Sequence, residues 1–458
     1  MADYPAYERE GEDEAAAARL AAVRVAVEAG DAVVLAALLE PLHAADVADL
    51  LEQVSGTERR ALLALYSPEI DGDILSEIDD SIREEVIESL PDDVVAEAVR
   101  ELDTDDVVDI LEDLEAPAQE RILDALEDAD RLAVEQALSY PEHSAGRLMQ
   151  REVVLAPEHW TVGEAIDWLR GAEVLPDQFY HVILTDPRMK PTGYVTLGRV
   201  LSAARATLLR DITEDSFRTV RATDEEADVA YIFNQYHLIS CPVVDAGGRL
   251  VGVITIDDAM NVLDEEHEED MLRLAGVGDE ASLSDSVIQA VKGRAVWLGV
   301  NLLTAILASV VIGLFSASIN AMVALAVLMP IVASMGGNAG TQSMTVAVRA
   351  LATRDLTARN AGRVIRREIA VGALNGLLFG LVMAGVAALW FGVPMLGLVI
   401  GLAMLLTLVA AALGGILIPM ALERMGVDPA LASGPFVTTV TDVVGFFAFL
   451  GLAAWILL

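Results

Sequence analysis

The sequence predicts a multidomain membrane protein. An all-α helical-repeat region is followed by an α/β pair of repeated units, a connecting helix and a five-span α-helical transmembrane domain. Three observations predict this order. No charged residue occurs from Ala295 to Val348 or from Ile369 to Leu422, whereas all but five of the 71 acids precede residue 295. Short amphipathic segments with acidic outer faces recur through residues 26–140. The runs Gly193-Tyr-Val-Thr196 and Gly252-Val-Ile-Thr255 repeat one pattern 59 residues apart.

A chain of 458 residues allows about three domains. Residues 1–25 are acidic and Ala-rich and are expected as a mobile arm; they lack a basic stretch followed by an apolar core, so no cleaved signal peptide is indicated. In residues 26–140, DVADLLEQV (46–54), DDVVAEAVREL (92–102) and DDVVDILEDL (105–114) each make about three helical turns, with Asp expected as the cap. Such units stack into a small solenoid.

Residues 141–263 change period. The strand-like runs YHVILTD (180–186) and ISCPVV (239–244) alternate with helices opened by two expected capping boxes, Thr161 to Glu164 and Thr223 to Glu226. Two copies of a β-α-β-β-α unit result, with Asp245 to Gly248 as the hairpin turn of the second. Residues 264–294 join this module to the membrane, through a helix expected to begin near Ser284.

Residues 295–458 form the spans. A span needs about 20 apolar residues, so each uncharged stretch holds two, turning at Ser316 to Asn320 and at Phe391 to Pro394. Ala430 to Leu458 is the fifth, interrupted only by Asp442. Six arginines between Arg349 and Arg367 link spans two and three. Basic short loops stay cytosolic, which places the N-terminal domains in the cytosol and the C-terminus outside a cell (inner) membrane crossed several times.

Composition excludes other functions. With 71 acids against 30 bases, of which only Lys190 and Lys292 are lysine, the chain lacks the basic surface that binding nucleic acid requires. Hydrophobic residues reach 54% with 5% aromatics, a surplus that belongs in lipid. A single cysteine, Cys241, excludes an internal disulfide and fits a reducing cytosol. The six histidines show no ligand spacing and read as surface or packing residues. No Ser-His-Asp set, Walker loop or GxGxxG occurs, so no catalytic residue is assigned and an enzyme is not expected.

Asp442 carries the chemistry. A carboxylate at mid-span costs roughly 2.5–3.5 kcal/mol, so it is expected to face a cavity, and a passing cation is the simplest neutraliser. Thr438, Thr439 and Thr441 can cluster oxygens one turn away, and the absence of Cys and His from Ala295 onward favours a hard cation. In span two, Gly336-Gly337-Asn338 allows either close helix packing or a break whose carbonyls line a wet cavity. Asp105, Asp106, Asp109, Asp257, Asp258, Glu265, Glu266, Glu269 and Asp270 are candidates for divalent-cation sensing, against the plain reading of solvated acidic surface.

The chain resembles the MgtE family of magnesium channels or transporters along essentially its whole length. The residues that carry this are YPEHSAGRLM (140–149), the two repeated units, VITIDDAMNVLDEEHEED (253–270), PIVASMGGNAGTQS (330–343) and VDPALASGPFVTTVTDVVG (427–445). The resemblance implies a homodimer with a helical N domain, a tandem CBS pair at 141–263, a plug helix at 264–294 and five spans. It implies that Asp442 is the ion-binding carboxylate of the pore, with Thr438 and Gly445 beside it and Gly336, Gly337 and Asn338 lining the path. By the same resemblance Asp258, Glu266, Glu269 and Asp270 bind cytosolic Mg2+, with Asp105 and Asp109 as further metal candidates. Asn261 and His237 depart from acids common in the family. CBS pairs often bind adenine nucleotides such as ATP through Thr-x-x-Asp; Thr255 and Asp258 match, while the first unit has Thr196 and Arg199.

The expected function is a magnesium-selective channel or transporter. It would import Mg2+ down its electrochemical gradient and be gated by cytosolic Mg2+ at acidic interfaces. A non-conducting membrane sensor of cations or nucleotides, and a channel for Co2+ or Ni2+, are the alternatives.

Overall fold

A computed structural model describes residues 6–112, 114–172, 175–176, 179–277 and 287–458. The chain forms two compact units, residues 1–266 and 267–458.

Unit 1 opens with ten helices: α1 (Ala6–Ala29), α2 (Ala32–Leu39), α3 (Ala44–Gln53), α4 (Gly56–Tyr66), α5 (Gly72–Ser76), α6 (Asp80–Ser89), α7 (Asp92–Glu101), α8 (Thr104–Glu112), α9 (Ala116–Ala125) and α10 (Asp128–Ala137). Their apolar residues recur at three- and four-residue intervals, as Val95, Ala98 and Val99 do on α7, and merge into one core. Two buried arginines tie α4 to α6 and α6 to α8. Arg59 donates to the Leu51 carbonyl at 2.8 Å and pairs with Glu85 at 2.6 Å, and Arg83 pairs with Asp80 at 2.9 Å and Asp109 at 3.0 Å.

The structure differs from expectation here in two respects. Where the sequence leaves residues 1–25 as an arm, α1 is helical and buries Val23 and Ala26. Asp caps α2, α5 and α6 through Asp31, Asp71 and Asp79, but not α3, which His43 caps, nor α7, which Pro91 precedes. Asp92 and Asp93 lie inside the first turn of α7, as Asp105 and Asp106 do in that of α8. An acid in that first turn still meets the positive end of the helix dipole, so its charge is accommodated without capping.

The repeated units follow. The first is β1 (Leu155–Pro157), α11 (Val162–Gly171), β2 (His181–Thr185), β3 (Pro191–Thr196) and α12 (Leu197–Ser202). The second is β4 (Val220–Arg221), α13 (Glu226–Tyr236), β5 (Ser240–Val244), β6 (Leu250–Thr255) and α14 (Ile256–Ala275). Each has a three-stranded sheet, first pair parallel and second antiparallel, with equivalent registers Val182↔Val195 and Cys241↔Ile254. Thr161 and Glu164 form their capping box, but Thr223 and Glu226 do not. Residues 222–226 are instead held against 143–146 by Ala145 N–H to Asp224 O (2.9 Å) and Glu226 N–H to His143 O (3.1 Å). That pairing keeps Thr223 out of the helix, which starts at Glu226.

Unit 2 holds α15 (Val287–Leu314), α16 (Ser316–Ala321), α17 (Ala324–Ala352), α18 (Ala361–Phe391), α19 (Pro394–Arg424) and α20 (Pro429–Ile456). Five of them, all but α16, are long and apolar enough to cross a membrane. The turn expected at Ser316 to Asn320 is the short helix α16, and Gly392, at φ +67°, makes the second turn. Residues 264–275 are the end of α14, not the start of a separate helix, and the helix start expected near Ser284 lies outside the described residues. α19 is the central helix, with Val399, Ile400, Ala403 and Met404 fully buried. α18 lies against it backbone to backbone: a Cβ on Gly376 would sit 2.8 Å from Leu405 Cα, and one on Gly380 2.7 Å from Gly401 O.

A second acid lies within the spanning helices besides Asp442, because α18 starts before the uncharged stretch and carries Glu368 into the interior. Glu368 is buried and accepts a hydrogen bond from Ser343 Oγ at 3.0 Å.

Candidate cation-sensing and ion-pathway sites

In unit 1 the first turn of α8 meets the β6–α14 corner. Residues 150–152 fix them together: Gln150 pairs with Val253 of β6, its side chain donates to Asp103 at 3.2 Å, and Glu152 accepts from the Thr104 hydroxyl at 2.8 Å. Asp105, Asp106, Asp257 and Asp258 are thereby crowded, two on each helix N-terminus. Burial, then the charge of Asp258, drives Asp105 well above the usual carboxylate range. Burial and Asp258 push Asp106 up to about 7, and burial raises Asp258 to about 6 against the opposing hydrogen bond from Thr255. The charge of Asp258 raises both Asp105 and Asp106, so the three acids resist ionising together. Asp109 stands aside, paired with Arg83.

The remaining predicted acids separate from this cluster. Glu266 is half-buried on α14. Glu269 and Asp270 belong to unit 2, where Arg273 pairs with Glu269 at 2.7 Å and with Asp428 at 3.1 Å. Leu274 packs beside them on Met344, Val348, Ala430 and Val437, which seats the end of α14 on the ends of α17 and α20. Burial and the neighbouring Asp428 raise Asp270. Sequence reasoning missed Arg273 and Asp428, because their pairing joins segments far apart in the chain. Asn261 is exposed, and His237 ends α13 at φ +53°.

In the membrane unit, Asp442 lies half-buried on α20, and among the described residues no group donates a hydrogen bond to its carboxylate. Thr438, one turn earlier and exposed, donates to Gly434 O at 3.0 Å; Thr439 donates to Pro435 O at 2.7 Å and Thr441 to Thr438 O at 2.9 Å. α17 runs unbroken through Gly336, Gly337 and Asn338, which favours packing over an opened backbone. Gly336 and Gly445 both face Thr407 of α19, where a Cβ would come within 2.7 Å and 3.2 Å of its methyl. Gly337 meets open space, and Asn338 is exposed, its amide 3.5 Å from Ser334 Oγ. The predicted group thus divides into a packed side (Gly336, Gly445) and an open side (Gly337, Asn338, Thr438, with Asp442 half-buried).

At the nucleotide motif, Thr255 Oγ donates to Asp258 at 2.6 Å. In the first unit Arg199 occupies the equivalent place and pairs with Glu214 at 2.8 Å. His181 is buried, 2.6 Å from Ser240 Oγ, and burial lowers it to about 4, so it is a neutral packing residue.

Comparison with known proteins follows the same divisions. A family model for a divalent cation transporter matches residues 329–452, one for the MgtE intracellular N domain matches 42–143, and one for a CBS domain matches 209–265. The magnesium transporter MgtE of Thermus thermophilus is 36% identical over 438 residues, covering 94% of this chain and 97% of that protein. The chain belongs to the MgtE family. The MgtE magnesium transporter of Enterococcus faecalis is 33% identical over 321 residues, 70% of this chain and 71% of its own length. Among solved structures, the cytosolic domain of the Mg2+ channel MgtE in complex with ATP is 30% identical and aligns with 53% of this chain and 99% of its own at a TM-score of 0.49. The MgtE relatives are named as transporters, in keeping with the five candidate spans.

Proposed function

We propose that the chain imports Mg2+ down its electrochemical gradient as a homodimer, with the acidic domains in the cytosol acting as the sensor and the C-terminus outside. The observation that carries this is Asp442: a carboxylate halfway along a spanning helix, on its open side, with no donor among the described residues. Magnesium sheds water reluctantly and needs few direct ligands, so one carboxylate per subunit, doubled across an axis, suits a hydrated ion. The membrane potential contributes about 2.3 kcal/mol per charge per 100 mV, twice that for a divalent ion, so inward flow needs no ATP hydrolysis.

Gating follows from the crowded acids. When cytosolic Mg2+ is low, nothing compensates the crowded acids Asp105, Asp106 and Asp258, whose mutual repulsion loosens the α8–α14 contact. When it is high, bound ions bridge them and favour the shut state, a reciprocal coupling between sensor and pore. Thr255 and Asp258 supply one site for the ribose of an adenine nucleotide such as ATP; the first unit, closed by Arg199 and Glu214, supplies none.

The test is Mg2+ uptake into liposomes by the wild-type chain and by Asp442→Ala. Uptake abolished in the variant supports the pore assignment, and normal uptake removes it. A wild-type chain that takes up no Mg2+ would leave the non-conducting sensor as the reading, and competing Co2+ and Ni2+ would measure selectivity.

A further inference from the structure

Positive charge in unit 2 is concentrated at the corner between α17 and α18, which carries Arg349, Arg354, Arg359, Arg363, Arg366 and Arg367 in a chain of net charge −41. The corner is a built element. Leu356 is buried with its N–H on Ala350 O at 2.7 Å, and the Asn360 amide accepts from Thr357 N–H at 2.8 Å and donates to Asp355 O at 2.6 Å. Arg359, Arg363, Arg366 and Arg367 are exposed, and among the described residues none of the four forms an ion pair. This contrasts with Arg59, Arg83, Arg147 and Arg273 elsewhere in the chain, each matched to an acid.

A second observation says what these guanidiniums face. The helical period aligns Arg363 and Arg367 with Leu374, Leu378 and Leu381, which are 68%, 56% and 66% exposed. Gly372, Gly376 and Gly380 lie on the other side of the helix, closed against α19. The outer stripe of α18 is therefore a run of leucines that ends in unpaired arginines. That is the complement of a phospholipid lying along the helix, with acyl carbons on the leucines and the phosphodiester at the guanidiniums.

We propose that Arg363, Arg366 and Arg367, at the N-terminus of α18, bind the headgroup phosphate of an anionic glycerophospholipid whose acyl chains lie along Leu374, Leu378 and Leu381. The inference rests on reading α18 as a membrane span with its N-terminus at the cytosolic surface. Guanidinium forks match phosphate oxygens two at a time, and the positive end of a helix dipole adds to them. The remainder of this acidic chain is repelled by an anionic leaflet, so the corner is where such a lipid is attracted.

The experiment uses the full chain in mild detergent, titrated with phosphatidylglycerol, phosphatidylcholine or inorganic phosphate, and follows thermal unfolding together with retained lipid by native mass spectrometry. Phosphatidylglycerol is expected to raise the unfolding midpoint and to stay bound, whereas phosphatidylcholine and inorganic phosphate do neither. The triple variant Arg363→Gln/Arg366→Gln/Arg367→Gln should weaken that binding about 100-fold, from about fivefold per guanidinium, while Arg188→Gln in unit 1 leaves it unchanged. Equal stabilisation by inorganic phosphate would make this a free-anion site and overturn the proposal, as would unchanged lipid affinity in the triple variant. Should the triple variant not fold, the three single variants decide: each is expected to lose about fivefold or more, and no loss in any of them overturns the proposal. Because the readout is binding, the outcome is independent of whether the chain carries Mg2+.

Discussion

Acids are crowded in unit 1 until the charge of Asp258 raises both Asp105 and Asp106, whereas in the membrane unit Asp442 has no second carboxylate on its own helix. On the proposed function, the difference matches what each place would do with an ion. Several converging carboxylates repel one another when empty and gain most when a divalent ion arrives, which suits a device that reports concentration. A lone carboxylate in low dielectric attracts a cation but cannot strip its water, and conduction requires that the ion also leave. The number of acids, more than their identity, separates the two roles.

The strongest way to break this comparison is Asp442→Ala, for which Mg2+ uptake is expected to fall to the level of empty liposomes with the fold retained by circular dichroism. Asp442→Asn should lose uptake as well, since the charge and not the shape is required. Next in size is Gly336→Ala. Its added Cβ meets the Thr407 methyl at 2.7 Å, and overpacking of this kind costs about 1–3 kcal/mol; a lowered thermal midpoint is expected there, and an unchanged one at Gly337→Ala, which points into open space.

On the sensor side, Asp106→Asn is expected to stabilise the metal-free chain at pH 8 by about 2 kcal/mol, since a shift of one pKa unit corresponds to about 1.4 kcal/mol, discounted here for partial exposure. It should also reduce the protection from hydrogen exchange that Mg2+ confers on α8. The pH dependence has a definite sign. Asp258 and Asp106 are raised, to about 6 and about 7, so the stability they contribute is complete below the ordinary carboxylate value and is lost as pH rises through 6 and 7. Protection of the α8 amides without metal, corrected for intrinsic exchange at each pH, should therefore be lower at pH 8 than at pH 5, and Mg2+ should remove most of that difference. The smallest effect is expected from Thr255→Ala, which removes one hydrogen bond to Asp258 and should cost about 0.5–1.5 kcal/mol in thermal stability.

The spans and the duplicated β-α-β-β-α units were legible because they rest on signals local in sequence: the exclusion of charge from lipid and a repeat of strand and helix periods. The Thr161 box formed beside a backbone bridge to Leu208, while at the second unit backbone hydrogen bonds with residues 143–146 accompany a helix that starts only at Glu226. Glu368 escaped notice because a charge at a helix end reads as interfacial until the packing of α17 against α18 encloses it. The same limit hid the Arg273 to Asp428 pair, which only folding brings together. At the candidate pore, residue types could not distinguish Gly336 from Gly337. The distinction comes from the position of Thr407 on a third helix.

The close approach of α18 and α19 has a mechanical consequence. Where one backbone rests directly on another at Gly376 and Gly380, no side chain is available to rotate or yield, so the two helices move as a single stiff pillar. On the proposed function, widening that admits an ion would be taken up by α15, α17 and α20 sliding against that pillar.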